Sequence, residues 1–268
     1  MYPIEITKNS LYNYIGWWLY QIKARTPIMM TLPLGPLHVD SLKEACINRL
    51  EELILSGELK KGDHLPSERD LAARLGVSRP VLHEAIVDLA AKGLVTIIPR
   101  RGVVINDFRK SGSFAILSSL LSYHNGELAP QLVDSLLSMR ILIETETARL
   151  ASTNASQEQI NGLREIIKSE FATNRRDLAL LTKLDFEFHL LISIASENLV
   201  YPLILNSFKS VYTHFTSAFF VKTAANSLID EVFGFHKKLV DAFEERQCEK
   251  SAEIMRALLI HGEKHLRT

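Results

Sequence analysis

The 268-residue chain has only two cysteines, Cys46 and Cys248, in no C-x-x-C or zinc-ligand spacing. That excludes a disulfide scaffold and points to a reducing, cytoplasmic compartment. It also lacks an excess charge: 31 Lys+Arg balance 31 Asp+Glu, so a uniformly basic nucleic-acid coat and an acidic tail protein are both excluded, and any DNA binding must be local. The apolar stretch LYNYIGWWLYQI (11–22) carries Asn13 and Gln21 and falls short of the roughly 20 residues that span a bilayer, so no stable membrane span is expected. No Gly-rich phosphate loop, G-x-S-x-G or H-E-x-x-H occurs, which removes the common enzyme signatures. What is present is 47% apolar residues, ample for packed cores, and a length that favours two modest domains.

Residues 1–40 stand apart as a leader holding both tryptophans, Trp17 and Trp18. A signal peptide is disfavoured, because only Lys8 precedes the apolar stretch and no clear A-x-A site follows. Two readings stay open: an interfacial membrane anchor, or an accessory leader with Met29 or Met30 as the true start.

Residues 41–108 read as a winged helix-turn-helix. SLKEACINRLEELILSGEL puts Cys46, Ile47, Leu50, Leu53 and Ile54 at helical spacing before Gly57. Ser67, with acidic residues after it, caps a short helix that ends at Gly76. Ser78 then caps a second, with Pro80 in its first turn and Val81, Leu82, Ala85, Ile86 and Leu89 as its buried stripe. Gly93–Ile98, the turn Pro99-Arg100-Arg101-Gly102 and Val103–Ile105 read as a two-stranded wing. Residues 41–110 hold 12 Lys/Arg against 10 Asp/Glu, while 111–268 hold 16 against 19; the asymmetry has the right sign and is small. Placement matters more. Arg69, Arg79, Arg100 and Arg101 fall at helix starts and the wing tip, where guanidinium groups reach phosphates or guanine edges.

The run Leu65-Pro66-Ser67-Glu68-Arg69-Asp70-Leu71-Ala72, followed by Leu75-Gly76-Val77-Ser78-Arg79, Glu84-Ala85, Leu89 and Gly93-Leu94-Val95, resembles the GntR family of bacterial transcription regulators. The resemblance implies DNA contacts from Ser67, Arg69, Ser78, Arg79, His83, Arg100, Arg101 and Gly102. His83 departs from the family pattern, which carries arginine there, and a neutral imidazole loses that fixed charge.

Residues 109–268 read as an all-α bundle of six or seven helices, with 3- and 4-residue apolar spacing near 114–123, 129–151, 156–170, 175–196, 199–220, 224–245 and 248–266. Asn106-Asp107-Phe108 with Ser111-Gly112, Pro130–Arg140, and Tyr201–Asn206 leading to Tyr212-Thr213 extend the resemblance to the FadR subgroup. Its members are homodimers on a pseudo-palindromic double-stranded operator, with an effector-binding and dimerisation domain. Most hold a divalent, zinc-like metal through one Asp and three His, and the metal anchors a small carboxylate; others bind long-chain acyl-CoA.

Asp185 and His189, four apart on one helix face, match the first metal pair, and His236 matches the third ligand. Leu258 stands where the fourth His belongs, with His261 one turn on, about 4.5 Å along the axis. Arg140 reads as an i,i+4 partner of Glu144 or as the inward partner of a carboxylate or CoA phosphate, with Tyr212 and His214 beside it. An acyl-CoA or related lipid effector is preferred, and a metal-bound sugar acid or hydroxy acid is the alternative. A bundle that only dimerises is a third reading. A metal-dependent hydrolase, with Glu187 or Glu197 as base, is the remote rival and has no use for residues 65–105.

Overall fold

Ser41 opens the first helix, α1 (Leu42–Leu55), with a capping box: its hydroxyl accepts from the Glu44 amide at 3.2 Å while the Glu44 carboxylate accepts from the Ser41 amide at 3.1 Å. Two donors that a helix start leaves orphaned are thereby satisfied. The structure, a computed structural model, describes residues 41–123, 130–223 and 227–267; the leader, with its anchor and alternative-start readings, lies outside the described residues. Helix α2 (Glu68–Leu75) starts at Ser67 and stops at Gly76, whose φ of 69° is left-handed, the backbone region that glycine enters freely. Helix α3 (Arg79–Ala91) starts after extended Ser78 with Pro80 in its first turn, and buries Leu82, Ala85, Ile86 and Leu89.

Strands β1 (Val95–Ile98) and β2 (Gly102–Ile105) pair antiparallel, Val95 opposite Ile105 and Ile98 opposite Gly102. Val95, Val103 and Ile105 turn inward onto α1 and α3, in one core with Leu50, Leu71 and Leu82. The loop ahead of α2 lies along the outer edge of β2, with the Leu65 amide donating to the Val103 carbonyl and the Gly62 amide to that of Ile105, both at 2.9 Å. This is the expected winged helix-turn-helix.

A short helix, α4 (Phe108–Ser111), leads to α5 (Ile116–Tyr123), which buries Ile116 in the core of the winged domain. A polar key joins the same elements. Lys92 Nζ, just beyond α3, donates to the buried Glu51 carboxylate of α1 at 2.6 Å and to Ser119 Oγ of α5 at 3.1 Å. The bundle follows as α6 (Pro130–Asn154), α7 (Gln157–Ala172), α8 (Leu178–Ala195), α9 (Tyr201–Ser207), α10 (Lys209–Thr223), α11 (Leu228–Glu244) and α12 (Cys248–Arg267).

The most extensive pairing is α6 against α12. Helix α8 is central, touching α6, α7, α9 and α10; it buries Leu181, Phe188 and Ile192 along with Asp185 and His189, and leaves Lys183 and Glu187 on an exposed face. The segment expected as one helix over 199–220 is divided at Phe208, whose φ of −114° and ψ of 23° leave the helical region. Leu205, Phe208 and Tyr212 share a single cluster with Phe186 across the break, as their three- and four-residue spacing would also place them on one face of a continuous helix. Seven expected segments therefore become eight helices, α5 to α12, among the described residues.

The joint between wing and α4 has no slack. A Cβ on Gly93, whose φ is 79°, would stand 1.9 Å from the Ser111 carbonyl oxygen, whereas one on Gly57, φ 81°, meets nothing within 4 Å. Gly93→Ala is expected to destabilise the fold by about 2–4 kcal/mol through overpacking and backbone strain, and Gly57→Ala by only about 1 kcal/mol. Urea midpoints of the two variants check this; equal midpoints would contradict the tight joint.

Candidate DNA-binding face and effector cavity

On α3 the exposed positions include Arg79 and His83, four apart and so on one face. Ser78 caps α3 through its backbone only, with no side-chain capping bond, which leaves its hydroxyl for a ligand. Ser67 differs: its hydroxyl accepts from the Asp70 amide and donates to the Asp70 carboxylate at 2.7 Å, and that bond helps hold the Asp70 carboxyl below its ordinary range. Arg69 is exposed, 3.5 Å from Asp70. Among the described residues Arg79, Arg100 and Arg101 carry no ion pair, so three guanidinium groups are open to phosphate or base. The wing turn closes with the Arg101 amide on the Ile98 carbonyl at 3.0 Å, and Arg100 sits at φ 64° beside Gly102 at φ 97°. A non-glycine residue held left-handed costs roughly 1 kcal/mol and fixes the direction of its side chain.

Inside the bundle a chain of charges crosses five helices. Arg140 of α6, its side chain 11% exposed, donates Nε to Glu144 at 2.6 Å and lies over the Tyr212 ring at 4.0 Å. His189 Nδ1 of α8 is 2.5 Å from the other Glu144 oxygen. Burial alone would raise the Glu144 carboxyl, but Arg140 and His189 outweigh it and hold it at about 2. Burial would likewise lower Arg140, and Glu144 reverses that. Asp185 accepts from the Tyr212 hydroxyl at 3.0 Å and the Thr216 hydroxyl at 3.2 Å, both on one oxygen. Burial, then the Asp185 charge, push the Tyr212 phenol well up. His236 of α11, wholly buried, turns Nδ1 to the Glu170 carboxylate of α7 at 3.0 Å, and Nε2, 3.9 Å from the free Asp185 oxygen, has no hydrogen-bond partner. Burial would lower that imidazole, but the Glu170 charge prevails and raises it.

Asp185, His189 and His236 each offer one ligand atom, all within 4.8 Å of one another. Ligands of a tetrahedral zinc-like ion lie about 3.3–3.5 Å apart, so the three would draw in by about 1 Å to share one. Each is oriented by a group outside the triad: Glu144 behind His189, Glu170 behind His236, Tyr212 and Thr216 behind Asp185. His236 turns its unpartnered Nε2 toward Asp185 with Glu170 behind it, while His189 Nδ1 lies 2.5 Å from Glu144 without the alignment of a hydrogen bond; carboxylate-backed imidazoles are the usual support of a metal ligand, so the residues fit a divalent ion.

A small cavity of about 50 Å³ adjoins the triad, bounded by Arg140, Asp185, His189 and Thr216 at a polar end, by Glu263, and elsewhere by apolar groups such as Phe215, Phe219, Val232 and Leu258. Two expected residues are not there. His214 lies two positions beyond Tyr212, about 200° around the helix, and faces a separate groove with Lys183 and Lys209. His261 also falls outside the triad: its Nε2 is 3.7 Å from Glu231 and its ring 4.8 Å from that of His265. The helix has not slipped by a turn, because Met255, Leu258 and Leu259 lock α12 into the bundle core.

The family described as bacterial regulatory proteins of the gntR family matches residues 42–105, and the FadR C-terminal domain matches 106–265. The chain belongs to the GntR family. Among its relatives, a fatty acid metabolism regulator protein of Salmonella paratyphi C is 31% identical over 208 residues, covering 76% of this chain and 82% of that one. The protein of the same name from Proteus mirabilis is 28% identical over 205 residues, with the same coverages. The HTH-type transcriptional regulator Mce2R of Mycobacterium tuberculosis is 32% identical over 181 residues, covering 68% and 74%. A solved structure described as Lar, which controls expression of the Listeria monocytogenes agr system, shares the fold at a TM-score of 0.59 with 18% identity, over 85% of this chain and 98% of that one.

This GntR-family chain is thus a transcription regulator and not an enzyme, which retires the hydrolase alternative, Glu187 and Glu197 included. No helix among the described residues is long and apolar enough to cross a membrane. Sequence reasoning missed Glu170 and Thr216, whose partners lie 66 and 31 residues away, beyond the reach of helical spacing.

Because the Glu144 carboxyl is depressed from 4.5 to about 2, its ionised form contributes about 3 kcal/mol above the unfolded-state value, lost as pH falls toward 2. Glu144→Gln, which strands buried Arg140, is expected to cost about 3 kcal/mol at pH 7. Denaturation at stepped pH should show the gap to wild type narrowing below about pH 4.5; a gap independent of pH would contradict the assignment.

Proposed function

We propose that the chain works in the cytoplasm as a homodimer on a pseudo-palindromic DNA operator, its affinity set by a small effector in the helical domain. One winged helix serves each half-site, with α3 entering the major groove from Arg79 and the wing residues Arg100, Arg101 and Gly102 in or near the adjacent minor groove. The unpaired arginines and the free Ser78 hydroxyl support this docking. An exposed apolar surface supports the dimer: Leu142, 74% exposed on α6, borders a groove with Tyr201 and Arg256, and exposed Leu199, Val200 and Leu203 adjoin Tyr201 in the chain.

The effector reading rests on Arg140, a buried cation at the polar end of an otherwise apolar cavity. Ligand pockets join mainly apolar walls to a few placed polar groups, and an anionic or thioester head at Arg140 with its chain among Phe215, Phe219 and Leu258 describes an acyl-CoA or related lipid metabolite, whose entry must widen a cavity of about 50 Å³. The names of the Salmonella and Proteus relatives favour the same class. A second reading is favoured by the inward, unpartnered Nε2 of His236: Asp185, His189 and His236 would hold a divalent ion that offers its remaining positions to a small carboxylate, with Arg140 as counter-ion. When bound, such an ion supplies a Lewis-acidic anchor and no catalytic step. Either effector changes operator affinity by a coupling of about 1–3 kcal/mol, and operator DNA changes effector affinity by the same factor.

Native mass spectrometry of the protein as isolated separates the readings. A metal-free dimer with the added mass of an acyl-CoA supports the first, one metal per subunit supports the second, and a monomer overturns the dimer. If the metal reading holds, His236→Ala should lose the ion; equal metal content in mutant and wild type rejects it. Arg79→Ala should cost about 1–3 kcal/mol of discrimination between operator and unrelated DNA, and an unchanged titration would reject the docking.

A further inference from the structure

His83 sits one turn after Arg79 on the exposed face of α3, its side chain 54% exposed, and its Nδ1 is 3.1 Å from Oε1 of Glu68 at the start of α2. An ionised carboxylate can only accept, so the proton of this contact belongs to Nδ1. A neutral imidazole with Nδ1–H so engaged keeps its lone pair on Nε2, the atom that points away from Glu68. The pair bridges the two helices of the motif, and so it also fixes the plane of the ring.

We infer that Glu68 and His83 form one base-reading unit, in which Glu68 holds His83 so that Nε2 presents a hydrogen-bond acceptor to the major groove and reads an exocyclic amine, cytosine N4 or adenine N6. An arginine at the same place would donate to guanine O6 and N7. The inference rests on the docking of α3 proposed above. His83 is a specificity residue that touches the base, and Glu68 is its positioning residue, acting through the ring's tautomer and orientation.

The test has two stages, both with the full-length protein at pH 8.5, about two units above the ordinary imidazole value. Duplexes selected from a randomised library by wild type, His83→Ala and Glu68→Ala should share one motif. A single position in each half-site should lose its preference in both variants while the others persist. His83 is exposed and Glu68 half-buried, and neither belongs to the hydrophobic core of the winged domain, so neither variant threatens it. At that position base analogues then identify the atom read. Removing the major-groove amine, with 2-aminopurine for adenine or 2-pyrimidinone for cytosine, should weaken wild type about five- to tenfold and His83→Ala scarcely at all, while 7-deazapurines on the opposite strand or in place leave wild type unchanged.

Sensitivity to the deaza substitution, or none to amine loss, overturns the acceptor assignment. A motif identical in wild type and His83→Ala overturns the unit while leaving the operator docking intact, and a Glu68→Ala motif unchanged at the His83 position removes Glu68 from it. No enriched motif with wild type overturns the operator reading itself.

Discussion

Glu144 is the buried carboxylate on which the interior of the bundle turns. A lone cation in so apolar a setting would be costly by several kcal/mol, and Arg140 is tolerated because Glu144 meets it one turn along the same helix. The second Glu144 oxygen faces His189, so one anion serves the small cavity at Arg140 on one side and the Asp185–His189–His236 triad on the other. From there the chain of contacts runs through Tyr212 and Asp185 to His236 and Glu170. Helices α6, α7, α8, α10 and α11 are thereby held in one register by polar contacts, within walls that hydrophobic burial alone would leave free to slide.

The second organising element is α5. It gives Ile116 to the core of the winged domain and Ser119 to the Lys92–Glu51 pair. On its other side Leu121 packs with Val211 and Phe215, and Phe215 also borders the cavity at Arg140. Two residues on one helix therefore stand between the cavity wall and the element that follows the recognition helix. The cavity wall and the winged domain are thus joined by a short, packed path, with Gly93 held close against Ser111 near its far end.

Much of this was legible in the sequence because the signals were local. Ser67, Gly76, Ser78 and Pro80 mark the helix ends by their own backbone chemistry, and the i,i+4 spacing of Asp185 and His189 puts them on one face without any tertiary knowledge. The break at Phe208 was not legible, since the apolar period of Leu205, Phe208 and Tyr212 runs through it unchanged. His214 was assigned to the wall of Tyr212 although two residues is more than half a turn. Glu68 opposite His83 and Glu170 behind His236 were invisible for a different reason: each is brought to its partner by the crossing of two helices, which no periodicity along one of them encodes.

The helix α5 has one more consequence, for modularity. The two family matches meet between residues 105 and 106, yet the hydrophobic core of the first module is closed by Ile116, and its buried Glu51 is neutralised by a lysine that also holds Ser119. The unit that the family match delimits and the unit that packs as one core thus have different edges here. A recombination event at the sequence boundary carries a DNA-binding domain away without its last core residue, so an exchanged domain must find a replacement for α5 in its new partner before it can be stable.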